Sequence, residues 1–235
     1  MVGMFPGFSA EALAFFRNLA RHNHREWFQP RKEFFETQVR TPMLELVEAI
    51  NGELARFAPD YITDPKKAVF RIYRDVRFSA DKSPYKTHLA AFFARRGGEK
   101  NGAPAFYFSI SPKELGIAGG VYDPLPPQLL AIRTWLAENH AAFRKIARRP
   151  EKIMGKLHGE TLTRVPKGFP ADHPAADLIK MKRWTYYVTL DPKLATTPRI
   201  LPELVKRFKT MTPVLEELNK PLLKARPKSA TADLF

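Results

Sequence analysis

Between Phe70 and Thr87 the chain gathers three arginines (Arg71, Arg74, Arg77), two lysines (Lys82, Lys86), two aspartates (Asp75, Asp81) and two tyrosines (Tyr73, Tyr85). Guanidinium groups match phosphate and carboxylate in bidentate fashion, and lysine adds a compact, mobile charge. The backbone N–H groups of a turn such as Ser79-Ala80-Asp81-Lys82-Ser83-Pro84 can complete an anion site. The pattern suits a small anionic, for instance phosphorylated, ligand held by Arg71, Arg74, Asp75, Arg77, Asp81, Lys82, Tyr85 and Lys86. A second reading needs no ligand. The arginines pair with Asp75, Asp81 and carboxylates of neighbouring helices, and the network fixes the loop. A third makes Asp75 or Asp81 a catalytic base or a metal ligand.

These side chains need an element to position them. Phe70, Ile72, Val76 and Phe78 share one parity, and Arg71, Tyr73, Asp75 and Arg77 the other. Alternation with period two predicts a half-buried strand over 69–77, with Phe70, Ile72 and Phe78 inward. Arg74 falls on the apolar parity and so requires a carboxylate, with Asp75 or Asp81 nearest in sequence. Fully extended, the strand would hold Arg71 and Arg77 about 20 Å apart, too far for one compact anion. The expected site is therefore the strand's C-terminal end, where Arg77 meets Lys82 and Lys86 as the loop folds back.

The flanking sequence supplies the framework. Ser9 is placed to cap a helix whose apolar face carries Leu13, Phe16 and Leu19. Pro30 suits the start of a second helix. Pro42 either kinks this helix or begins a third, whose stripe runs from Met43 to Phe57. Further strands are predicted at 87–94, 105–110, 115–121 and Trp184–Leu190. Helices follow from Pro126, from Pro150 and from Pro198. The expectation is one α+β domain over 1–235. Its sheet is mainly antiparallel, of five or more strands, with the N-terminal and C-terminal helices packed on it. A frayed basic tail is expected over 224–235.

Composition narrows the function classes. There is no cysteine, which excludes disulfides, thiolate zinc sites and a cysteine nucleophile. The start of the chain lacks the basic and apolar segments of a signal peptide, and no apolar run nears the roughly 20 residues of a membrane span. A cytoplasmic protein without a membrane partner is expected. The Walker-type loop, Gly-x-Gly-x-x-Gly, Gly-x-Ser-x-Gly and His-Glu-x-x-His are all absent. The six histidines are scattered, so no metal site is read. Net charge is +15, and residues 61–235 carry all the excess, with 32 Lys/Arg against 16 Asp/Glu. This admits nucleic acid as an alternative partner, through Arg144, Lys145, Arg148, Arg149, Lys152 and Lys156. A protein-interaction domain with a purely structural motif is the other alternative.

The central motif, Arg71-Ile72-x-Arg74-Asp75-x-Arg77-Phe78-Ser79-x-Asp81-Lys82-x-Pro84-Tyr85-Lys86-Thr87, resembles a family of bacteria and fungi called domain of unknown function 2461. Asn23-x-Arg25-x-Trp27-Phe28 upstream carries the same resemblance. So do Gly119-Gly120-x-Tyr122-x-Pro124, Pro166-Lys167-Gly168-Phe169 and Asp172-His173-Pro174 downstream. The similarity covers roughly residues 5–222. It implies no activity and no catalytic residues, because the family has none established.

Overall fold

Ser9 begins the first helix as its residue type predicts, its Oγ accepting the Ala12 N–H at 3.1 Å. The computed structural model describes residues 5–98 and 102–224. Helix α1 (Ala10–Arg21) buries Leu13, Phe16 and Leu19. A near-continuous helical run follows: α2 (Arg25–Phe28), a 3-10 turn (Gln29–Arg31), α3 (Lys32–Phe34), a π-helical stretch (Phe35–Arg40) and α4 (Thr41–Phe57). The π stretch is where Pro42 is absorbed. Proline lacks an N–H and its ring crowds the carbonyl four residues back. The preceding turn is wider, and both the N–H and the Oγ1 of Thr41 donate to Glu36 O. Helix α5 (Pro65–Ala68), capped by Asp64, leads towards the central motif.

The sheet is a meander of β1 (Leu89–Ala94), β2 (Ala105–Ile110), β3 (Leu115–Val121) and β4 (Trp184–Leu190), in the order β1-β2-β3-β4. It is antiparallel and has four strands. The architecture is α+β as expected, but the expected fifth strand, 69–77, is not part of the sheet. Val69 and Tyr73 each form one isolated bridge, to Ala91 and Tyr85. The Phe70 N–H donates to Ala90 O at 2.9 Å. Beyond it the chain leaves the sheet edge and bonds to its own return arm, Lys86 N–H to Ile72 O at 2.8 Å and Arg74 N–H to Pro84 O at 2.9 Å. Of the three residues expected inside, only Ile72 is buried; Phe70 is 39% exposed and Phe78 96% exposed. The cause is the Arg74 side chain, which is turned into the loop by polar partners there. Hydrogen bonds within the loop replace a sheet ladder, and beyond Ile72 the alternation has no core to face.

The remaining elements are α6 (Pro126–Met154), α7 (Ala176–Ile179), a 3-10 turn (Pro192–Thr196) and α8 (Ile200–Lys224). Helix α6 runs through Pro150 rather than restarting there, and bends instead at Asn139, whose φ and ψ are −119° and 16°. Lys224 closes α8; the rest of the expected tail, 225–235, lies outside the described residues, as do 99–101.

The chain divides into two compact units. The first comprises Met1–Arg96, Ala105–Ala118 and Tyr187–Lys209. In its core the β1–β2 pair turns Leu89, Ala91 and Phe93 to the same side as Ile110, Phe108 and Phe106, all buried. Phe208 of α8 stacks on Phe106 with ring centroids 4.6 Å apart. The second comprises Gly97–Pro104, Gly119–Tyr186 and Thr210–Phe235. It buries Ile132, Leu136 and Phe143 of α6, and Trp184, whose Nε1–H donates to Leu178 O at 3.1 Å. Gly120, at φ +131°, permits a close approach there: a Cβ would stand 2.0 Å from Trp184 O.

Candidate functional site

The tip of the central motif is closed by its own charges. The Arg74 guanidinium pairs with Asp81 and also donates to Ser83 O at 3.2 Å and Ser79 Oγ at 3.4 Å. Asp81 Oδ1 in turn accepts the Ser83 N–H at 2.9 Å. Ser83, through its hydroxyl and its N–H, and then Arg74 pull the Asp81 carboxyl down to about 2. Arg77 forms a second pair with Asp75 at 2.7 Å, and its hydrogen bonds hold that carboxyl below the usual range. Lys82 donates to Val76 O at 3.1 Å. Arg77 is thus turned to Asp75, Lys82 to the Val76 carbonyl and Lys86 to the Phe70 ring.

The base of the loop is anchored from the N-terminal helices. The Asn23 side chain donates Nδ2–H to Tyr85 O at 2.9 Å and accepts the Tyr85 N–H on Oδ1 at 3.0 Å. Tyr85 is buried and stacks on Phe28, ring centroids 4.2 Å apart at 22°. Tyr85 is therefore a structural residue whose phenol burial pushes up. Two segments that resembled the family motif thereby meet, Asn23 to Phe28 and Arg71 to Thr87.

Three cations of the motif have no carboxylate partner among the described residues: Lys82, which donates to Val76 O, and Arg71 and Lys86. Lys86 is half-buried and its ammonium lies 4.9 Å from the centre of the Phe70 ring. Burial first, and then the neighbouring Arg71 charge, lower its pKa. Phe70 in turn meets Phe92 and Tyr107, at 6.5 and 6.4 Å between ring centres. That is the second face of the β1–β2 pair, formed by Ala90, Phe92 and Ala94 beside Ser109, Tyr107 and Ala105.

Further polar groups stand on the same face. Tyr187 of β4 donates its hydroxyl to Glu114 Oε1 at 2.6 Å. Burial and the Glu114 carboxylate both raise its pKa. Gly116 makes room for that phenol, because a Cβ there would lie 2.7 Å from Tyr187 Oη and 2.8 Å from Ser109 Oγ. His88 sits between the two groups of charge. Burial and Lys86 lower its pKa, against an opposing pull from Glu114. The face thus offers the Lys86 ammonium, with the Arg71 charge acting on it, an imidazole, a phenol–carboxylate pair and a hydroxyl. All these residues belong to the first unit.

Sequence reasoning missed His88, Glu114 and Tyr187 as members of this face. His88 fell inside the strand expected at 87–94, and Glu114 just before the one expected at 115–121. The signal available was Gly116, a glycine inside a strand, which marks close approach by a neighbour. Among the described residues no group of three or more His, Asp or Glu side chains is placed to hold a metal ion. No helix among them is long and apolar enough to cross a membrane.

No curated protein and no solved structure matches the chain. Residues 11–216 match the model of the family described as "Conserved hypothetical protein (DUF2461)". That range holds the whole central motif and every residue of the face just described, and the chain belongs to this family.

Proposed function

We propose that the sheet face at the base of the central motif binds a small anionic molecule, with Lys86 and Arg71 holding its negative group. One observation carries this reading: Lys86 is half-buried beside a second cation and has no carboxylate partner, in a motif where Arg74 and Arg77 each have one. Holding a half-buried ammonium near the like charge of the exposed Arg71 is unfavourable, and a bound phosphate or carboxylate relieves it. The surrounding groups support a polar ligand with an apolar part. Phe70 and Tyr107 offer ring faces, while Ser109, His88 and the Tyr187–Glu114 pair offer donors and acceptors.

The test is a thermal-shift screen of phosphorylated and carboxylated metabolites, followed by titration of variants. Each charge-assisted contact contributes about 1.5–3 kcal/mol, so Lys86→Ala or Arg71→Ala should weaken binding about tenfold or more. Arg77→Ala, which loses only its pair with Asp75, should bind normally. A screen without any stabilising anion, or equal losses in all three variants, would overturn the proposal.

A further inference from the structure

The second half of α6 carries a charge pattern that the proposed anion site does not use. Phe143, Ala147, Pro150 and Met154 are buried, while Arg144, Lys145, Arg148, Arg149 and Lys152 are exposed. At 3.6 residues per turn the five cations fall within an arc of about 140°, opposite the buried stripe. Lys156, exposed just past the helix end at Gly155, extends the row. Among the described residues only Arg144 of this row has a carboxylate partner, Asp177 at 2.6 Å. Lys145, Arg148, Arg149, Lys152 and Lys156 have none. Glu151, the one acid within 144–156, is half-buried at the edge of the arc.

Such a row is unusual for a solvated helix, where acids normally alternate with bases and supply pairs one turn apart. From Arg144 to Lys152 the helix advances about 12 Å, with cations roughly 6 Å apart along each row. A regularly spaced, linear polyanion complements this arrangement; a compact anion touches one or two of its members. We infer that this face of α6 docks on the phosphate backbone of double-stranded nucleic acid, without reading its sequence. The contacts are those of lysine and arginine with phosphate oxygens, and binding is driven by release of condensed counterions.

The experiment uses the full chain and a fluorescent random-sequence duplex DNA, with affinity measured between about 0.05 and 0.2 M salt. Five phosphate contacts give a slope of log K against log salt of about −4.5. Lys145→Ala/Arg149→Ala should make that slope shallower by about two and weaken binding tenfold or more at the lowest salt. Alanine is a strong helix former, and circular dichroism would verify that α6 persists. Lys66→Ala/Lys67→Ala removes two exposed lysines of α5 and should leave the slope unchanged. A slope equally reduced by the α5 pair would show that net charge alone is responsible, and the inference would fail. It would fail equally if the duplex did not bind while phosphatidylserine vesicles did.

Discussion

At the scale of single residues the central motif separates into two classes. Arg74 pairs with Asp81, Arg77 with Asp75, and Lys82 donates to Val76 O, whereas the side chains of Arg71 and Lys86 have no ion pair or hydrogen bond among the described residues. His88 adds a titration that can be read from stability. Burial and Lys86 make the folded protein bind the His88 proton more weakly than the unfolded chain does. The unfolded state therefore holds more protons once pH drops below about 6.5, and stability declines from there down to the folded value. Urea unfolding midpoints between about pH 7.5 and 5 should fall, and His88→Gln should flatten that part of the curve. A parent protein with a flat profile over this range would contradict the assignment. Asp75 and Asp81 act in another window. Their folded values are depressed, so what they contribute is present above about pH 4 and is lost only in stronger acid.

At the scale of elements, the misread segment 69–77 yields the sharpest contrast. Ile72 lies inside, so Ile72→Ala should cost about 2–5 kcal/mol. Phe78, of the same parity, is solvated, and Phe78→Ala should shift stability by less than about 0.5 kcal/mol. A strand would make the two equal, and chemical denaturation of both variants distinguishes the cases. The contrast also shows what was legible. Four of the five expected strands stand close to where period-two patterns put them. Helices α1, α4, α6 and α8 follow their apolar stripes, because each has a face to bury. The segment 69–77 has the same local pattern but a competing set of partners. Ser79, Asp81 and Ser83 capture Arg74, a side chain-to-backbone closure that periodicity does not register. The reading of Arg74 as a charge in need of a carboxylate was available from its parity. That Phe70, Lys86, His88, Glu114 and Tyr187 share one face was not, since it depends on pairing across the sheet.

At the scale of the whole molecule, positive charge is in large excess and unevenly compensated. The net charge is +15, and the row on α6 is mostly without acids. Self-repulsion of this kind weakens the folded state and is relieved by screening, whose range shrinks from about 30 Å at 0.01 M salt to about 10 Å at 0.1 M. The thermal midpoint should thus rise by several degrees as salt goes from about 0.01 to 0.1 M, and a midpoint that fell instead would show that attractive pairs dominate. The Asn23 amide has a consequence on this scale too. Its N–H and C=O meet those of Tyr85 as a neighbouring strand would, across 62 residues of sequence. The return arm of the loop is therefore templated by one side chain borrowed from the connection after α1. Closing so long a stretch of chain is entropically slow and waits on the surrounding framework. The loop that presents Arg71 and Lys86 is accordingly expected to take shape late in folding, so Asn23→Ala should speed unfolding while leaving the folding rate nearly unchanged in stopped-flow measurements.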